Sequence, residues 1–225
     1  MPRPPRTAPG GFIYHVLNRA NAKRRIFERE RDYLAFERVL AEVQERIPMR
    51  ILAWCVMPNH WHLVLWPRED GELSDYMRLV TLTHTQRCHA YRASTGTGHL
   101  YQGRFKSFVV QDDAHFLAVT RYVEANALTG NLVRRAEDWR WGSLWRTQRA
   151  MDEPPRISAW PVPRPGDWLG YVNQRAEKAE ADAVRRCARR GSPYGDDAWT
   201  ANVADQLGLQ STLRARGRPP REKDS

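Results

Sequence analysis

The sequence predicts an α+β fold with a four-stranded antiparallel sheet. Three observations point there: short apolar runs bounded by turn residues, helical apolar stripes alternating with them, and two runs joined by Pro58-Asn59 alone. Phe12 to Leu17 reads as the first strand, and Arg31 to Ile47 carries Leu34, Val39, Leu40, Val43 and Ile47 at helical spacing. Ile51 to Met57, fenced by Pro48 and Pro58, is too short for a helix and reads as a buried strand. Pro58 and Asn59 suit the centre of a tight turn, because proline presets the first φ and asparagine tolerates unusual angles. His60 to Trp66 then runs straight back as the third strand. Leu73 to Tyr91 reads as a helix, Ser94 to Gly98 as a mobile loop and Phe105 to Val110 as the fourth strand. Asp112 or Asp113 can cap the next helix, whose stripe Phe116, Val119, Val123, Ala127 steps by three and four until Gly130 ends it. The order βαββαβ plus a further helix fits a ferredoxin-like sandwich with one sheet face partly open for a ligand.

Beyond Trp145 the pattern changes. Pro154 to Pro165 is proline-rich and reads as a linker or a wrapping segment, with helices expected over Trp168 to Arg190 and Asp197 to Leu207. The expected organisation is a catalytic domain over 1–150, a proline-rich linker and helical extension over 151–213, and a basic, disordered tail over 214–225.

The formal charge of +10 calls for a polyanionic partner, because cations that neutralise phosphates release condensed counterions. Of the 36 basic residues only Lys23, Lys106, Lys178 and Lys223 are lysine, and arginine's planar fork suits phosphates and base edges. Cys55, Cys88 and Cys187 are odd in number and form no C-x-x-C pair, which disfavours a disulfide framework or a thiolate zinc site and fits a reducing cytoplasm. The proline- and arginine-rich start has no apolar signal region, and nowhere do ~18 apolar residues run together to span a bilayer.

Candidate chemistry gathers in two places. His60 and His62 alternate within a strand, so both imidazoles lie on one face, ~7 Å apart along the backbone, and can converge on one metal ion; the same spacing suits two ordinary sheet-face histidines. Tyr122 and Asn126 sit four apart on a helix and project from the same side, a position equally open to a core tyrosine.

Four segments, in order, resemble the REP-associated tyrosine transposases, within the single-tyrosine class of HUH nucleases. Met57-Pro58-Asn59-His60-Trp61-His62-Leu63 is similar to the family's metal-binding hairpin, and Tyr101-Gln102-Gly103-Arg104-Phe105-Lys106-Ser107 to its Trp/Tyr-Gln-x-Arg-Phe-Lys segment. Arg121-Tyr122-Val123-Glu124-Ala125-Asn126 resembles the nucleophile helix, and Trp139-Arg140-Trp141-Gly142-Ser143 the Trp-rich segment after it. The resemblance covers roughly residues 10 to 147. It implies that Tyr122 attacks the backbone of single-stranded DNA to give a 5′-phosphotyrosine link and a free 3′-hydroxyl, with no nucleotide cofactor. It implies also that His60, His62 and the amide of Asn126 hold magnesium or manganese. The implied substrate is the imperfect hairpin of a repetitive extragenic palindrome, acted on by a monomer or a homodimer. Where the family shows Asn-Pro-Val after the nucleophile helix, this chain has Asn126-Ala127-Leu128, which leaves the ligand intact and alters the local helix end.

Beside such a site, Gln102, Arg104 and Lys106 are expected to hold the displaced strand, and Arg19, Lys23, Arg24 and Arg25 to contact a hairpin stem. Trp139, Trp141 and Trp145 could stack on bases, with core packing expected for at least two. In the tail, Arg216 and Arg218 fall in Arg216-Gly217-Arg218-Pro219-Pro220, which resembles an AT-hook core and also suits a generic basic tail. Two rivals share the residues: a hairpin-binding module without turnover, and a metal-dependent hydrolase that uses activated water and leaves Tyr122 structural.

Overall fold

The computed structural model describes residues 8–93, 96, 98–174 and 176–214. The strands β1 (Ile13–Arg19), β2 (Arg50–Met57), β3 (His60–Trp66) and β4 (Lys106–Val110) form one antiparallel sheet in the order β2-β3-β1-β4. With helices α1 (Glu30–Arg46) after β1 and α2 (Glu72–Tyr91) after β3, the chain has the expected βαββαβ sandwich.

Both faces of the sheet are covered, which is why its strands read as unbroken apolar runs rather than alternating ones. Tyr14, Val16, Trp54, Val56, Trp61, Leu63 and Leu65 meet Phe36, Leu40, Tyr76 and Val80 of α1 and α2 in the larger core. Ile13, Cys55, Met57, Val64, Phe108 and Val110 point to the other face, where Phe116, Val119 and Val123 of α3 (Ala114–Glu124) pack on them. A shift in register between Ile51 and Ala53 puts both Leu52 and Ala53 on that second face.

The structure corrects two expected helices. The helix begun at Ala114, with the Asp113 carboxylate accepting from the His115 N–H, does not run unbroken to Gly130. It breaks at Ala125 (φ −82°, ψ 2°), and a single turn, α4 (Asn126–Thr129), follows. Gly130 has φ −81°, so the end needs no left-handed residue. The segment from Trp168 to Arg190 divides as well. Past α5 (Ser143–Thr147), it forms α6 (Trp168–Asn173) and α7 (Lys178–Arg190), parted by extended backbone at Gln174. A distant contact fixes that break, because the Arg121 guanidinium donates to the Gln174 carbonyl at 2.8 Å. The helices α8 (Asp197–Gln206) and α9 (Gln210–Leu213) follow.

The proline-rich segment lies along the free edge of β2. The Ser158 N–H donates to the Ile51 carbonyl at 2.8 Å and the Trp160 indole to the Leu52 carbonyl at 3.0 Å. At the opposite edge Tyr194 pairs with β4, donating to the Val109 carbonyl and accepting from Gln111. Trp141 stacks on Tyr33 in the core, and Trp139 packs beside it while donating to the Val56 carbonyl. Trp145 is half-buried, with the Arg149 guanidinium over its ring.

Candidate active site

The hairpin that presents His60 and His62 is clamped from several directions. Pro58 and Asn59 form its turn, the Pro58 carbonyl accepts from Ile26 and Phe27, and the Asn59 amide donates to the Lys23 carbonyl at 3.1 Å. His60 pairs across β3 with Arg19 and Met57, and His62 with Leu17 and Cys55, so both imidazoles sit on the face that α3 covers. Their ring centroids are 5.0 Å apart.

Tyr122 projects from α3 onto this pair. Its ring stands perpendicular to that of His62 with centroids 5.7 Å apart, and Asn126, the first residue of α4, engages His60 through its side chain. Phenol, imidazoles and amide therefore share one place in one chain. Sequence reasoning missed a third imidazole there. His15 of β1 is fully buried, and its Nε2 lies 2.9 Å from Nδ1 of His62. The available signal was a polar residue inside an otherwise apolar strand, which a fold tolerates only with a partner.

Burial drives the electrostatics of the three rings. It depresses His15 to about 3. His60 falls to about 4 through burial and the nearby Arg19, against a side-chain hydrogen bond with Asn126 that pulls upward. His62 lies well below the ordinary histidine value through burial, then the neighbouring His60, His15 and Arg19. All three are neutral at pH 7 and keep a lone pair.

The donor set fits a divalent ion. His60 has Nδ1 2.6 Å from the Asn59 side-chain oxygen, so Nδ1 carries the proton and Nε2, left to the Asn126 side chain, would be the ligating atom. For His62, the ligating tautomer is the one in which Nδ1–H donates to Nε2 of His15. His15 then carries its own proton on Nδ1, a buried atom that has no partner among the described residues. Two imidazoles and an amide oxygen suit magnesium or manganese when phosphate oxygens complete the shell. Among the described residues, no three His, Cys, Asp or Glu side chains are placed to hold a metal ion by themselves.

These groups lie in a cleft of about 1540 Å³. Arg19, Gln102, Arg104 and Lys106, all expected at the site, line it with His60, His62, Tyr122 and Asn126. Arg19 is the last residue of β1 rather than part of the loop beyond. Lys23, Arg24 and Arg25 are exposed and do not line the cleft, and Arg216 and Arg218 lie outside the described residues. Four cations came unannounced: Arg121, Lys178, Arg185 and Arg189. No Asp or Glu of the described residues lines the cleft, so the charged side chains along its wall are cations, as suits a polyanion.

Arg121, next to the tyrosine in sequence, is buried and ties α3 to the extension. Besides the Gln174 carbonyl, it meets Glu180 at 3.6 Å and lies 4.2 Å from the Tyr171 ring centroid. Glu124, also buried, accepts from the Ser143 hydroxyl and the Trp168 indole, each at 2.7 Å.

The chain is 22% identical over 139 residues to the REP-associated tyrosine transposase of Escherichia coli (strain K12), covering 61% of this chain and 78% of that one. A solved structure described as the REP-associated tyrosine transposase bound to a REP hairpin superposes with a TM-score of 0.54 at 19% identity, over 72% of this chain and 94% of its own. That likeness establishes the shared fold. No helix among the described residues is long and apolar enough to cross a membrane. Residues 10–126, just over half of the chain, match the family model described as "Transposase IS200 like", and the chain belongs to that family of HUH-type, tyrosine-dependent single-stranded DNA nucleases.

Proposed function

We propose that this chain cleaves and rejoins single-stranded DNA at hairpin-forming palindromes, with Tyr122 as its nucleophile. The observation that carries this is the Tyr122 ring set against His62, beside His60 and Asn126, in a cationic cleft lined by no described carboxylate. The phenol oxygen forms a bond to phosphorus, the bond from phosphorus to the 3′ oxygen breaks, and that oxygen leaves as a hydroxyl after taking a proton. The phosphotyrosine link conserves the bond energy, so rejoining needs no nucleotide cofactor. A magnesium or manganese ion held by His60, His62 and Asn126 would neutralise charge on the phosphate.

Around that centre Arg19, Gln102, Arg104 and Lys106 grip the single strand, while Lys23, Arg24 and Arg25 meet a hairpin stem and the tail bearing Arg216 and Arg218 adds general DNA affinity. Tyr122 stands beside histidines of its own chain, which supports action as a monomer, and three free thiols suit the cytoplasm. The relative whose structure is described with a REP hairpin supports a hairpin as substrate.

The test is a gel assay with manganese and an oligonucleotide carrying a hairpin and a single-stranded flank. The wild type should become covalently attached to DNA, chelation of the metal should stop attachment, and Tyr122→Phe should abolish it while sparing binding. Cleavage that survives Tyr122→Phe would identify a hydrolase with a structural tyrosine. Binding of the wild type without cleavage would identify a hairpin-binding module.

A further inference from the structure

We propose that α7 is a second wall of the DNA cleft, whose Lys178, Arg185 and Arg189 grip the phosphodiester backbone of the single strand together with Arg104 and Lys106. This inference rests on the DNA-cleaving function above and assigns a task to the C-terminal extension. The residues of α7 that line the cleft are Lys178, Ala181, Arg185, Ala188 and Arg189. At 100° per residue their positions fall within an arc of about 100° on one side of the helix. Val184 and Cys187 lie on another side, buried in the core that contains Phe108 and Phe116. The helix thus anchors itself by one face and turns a cationic face to the cleft. Alanines between the cations leave room for a backbone to come close.

Charge argues for a phosphate partner rather than an internal one. Arg185 meets Asp182 at 3.1 Å with both side chains exposed, a pair worth little in water. Lys178 and Arg189 enter no ion pair among the described residues. The wall is also fixed relative to the chemistry, because Glu180 of α7 meets Arg121, the residue that precedes Tyr122. A strand gripped by α7 is therefore held in register with the phenol.

The experiment compares the full chain with Arg185→Ala/Arg189→Ala and with Arg186→Ala, by fluorescence polarisation on a hairpin with a single-stranded flank over a range of salt. Arg186 is exposed on the same helix and does not line the cleft. Loss of two phosphate contacts should weaken binding about tenfold at low salt and flatten the slope of log K against log salt by about 1.4, at ~0.7 per contact to single strands. Arg186→Ala should leave affinity and slope unchanged. A double variant that keeps the wild-type slope, or an Arg186→Ala effect as large as a cleft residue's, overturns the proposal. Failure of the wild type to form a covalent adduct would instead remove the cleavage function, while the salt slopes still judge the wall.

Discussion

Replacing Glu124 with alanine removes the acceptor that joins the tyrosine helix to two later parts of the chain. The Ser143 hydroxyl has a second acceptor, the Trp54 carbonyl at 3.3 Å, so its loss is partly recovered. The Trp168 indole N–H has Glu124 as its acceptor, and Trp168 is 3% exposed, too buried for water to substitute freely. An orphaned buried donor costs ~1–3 kcal/mol, and the space left by the carboxylate adds to it, for an expected loss of ~2–4 kcal/mol. In a chain of this length that lowers the melting temperature by about 4–16 °C. Glu124→Gln keeps an acceptor oxygen and should lose less than ~1 kcal/mol. Burial, opposed by the Ser143 and Trp168 hydrogen bonds and by Arg164, raises the Glu124 carboxyl above its ordinary 4.5. A raised folded value means stability that is complete below about 4.5 and lost as pH climbs through the folded pKa. Wild type should therefore lose stability over that rise while the glutamine variant does not, and its relative stability should grow with pH. Urea unfolding at several pH values measures both effects. An alanine variant within ~1 kcal/mol of wild type, or a glutamine variant as damaged as alanine, refutes the role given to this acceptor.

His15→Ala should lower manganese affinity of the DNA-free protein ~10–100-fold by releasing the ring of His62, with partial rescue by His15→Gln; calorimetric titration reads this directly, and unchanged affinity would show that His15 orients nothing. Trp160→Ala should cost ~2–4 kcal/mol, because the half-buried indole packs on Phe116 and Trp168 at centroid distances of 5.3 and 5.0 Å and holds the Leu52 carbonyl; scanning calorimetry measures it. A chain ended after residue 150 should aggregate, since it bares the edges of both β2 and β4 and the core beneath α7; light scattering with a soluble, monomeric result would contradict this.

The sheet and its two covering helices were legible because burial on both faces writes long apolar runs into the strands, and Pro58-Asn59 marks the turn between β2 and β3. Boundaries moved by a residue or two, as at Arg19, which belongs to β1. The breaks at Ala125 and Gln174 were not legible, the second being held by a guanidinium 53 residues away. His15 escaped for the same reason, with 47 residues between it and His62 and no local spacing to betray the pair. The helices of the extension could be read from their periodicity, yet which face of α7 would be buried depends on Phe108 and Phe116, and so the three cations it adds to the cleft could not.

The strips of chain laid along the two outer strands bear on how copies of this protein could associate. Strand-to-strand docking, the easiest way for two open sheets to merge, meets an occupied border on either side. A dimer built through helices or across DNA would leave each ribbon of four strands closed to its neighbour.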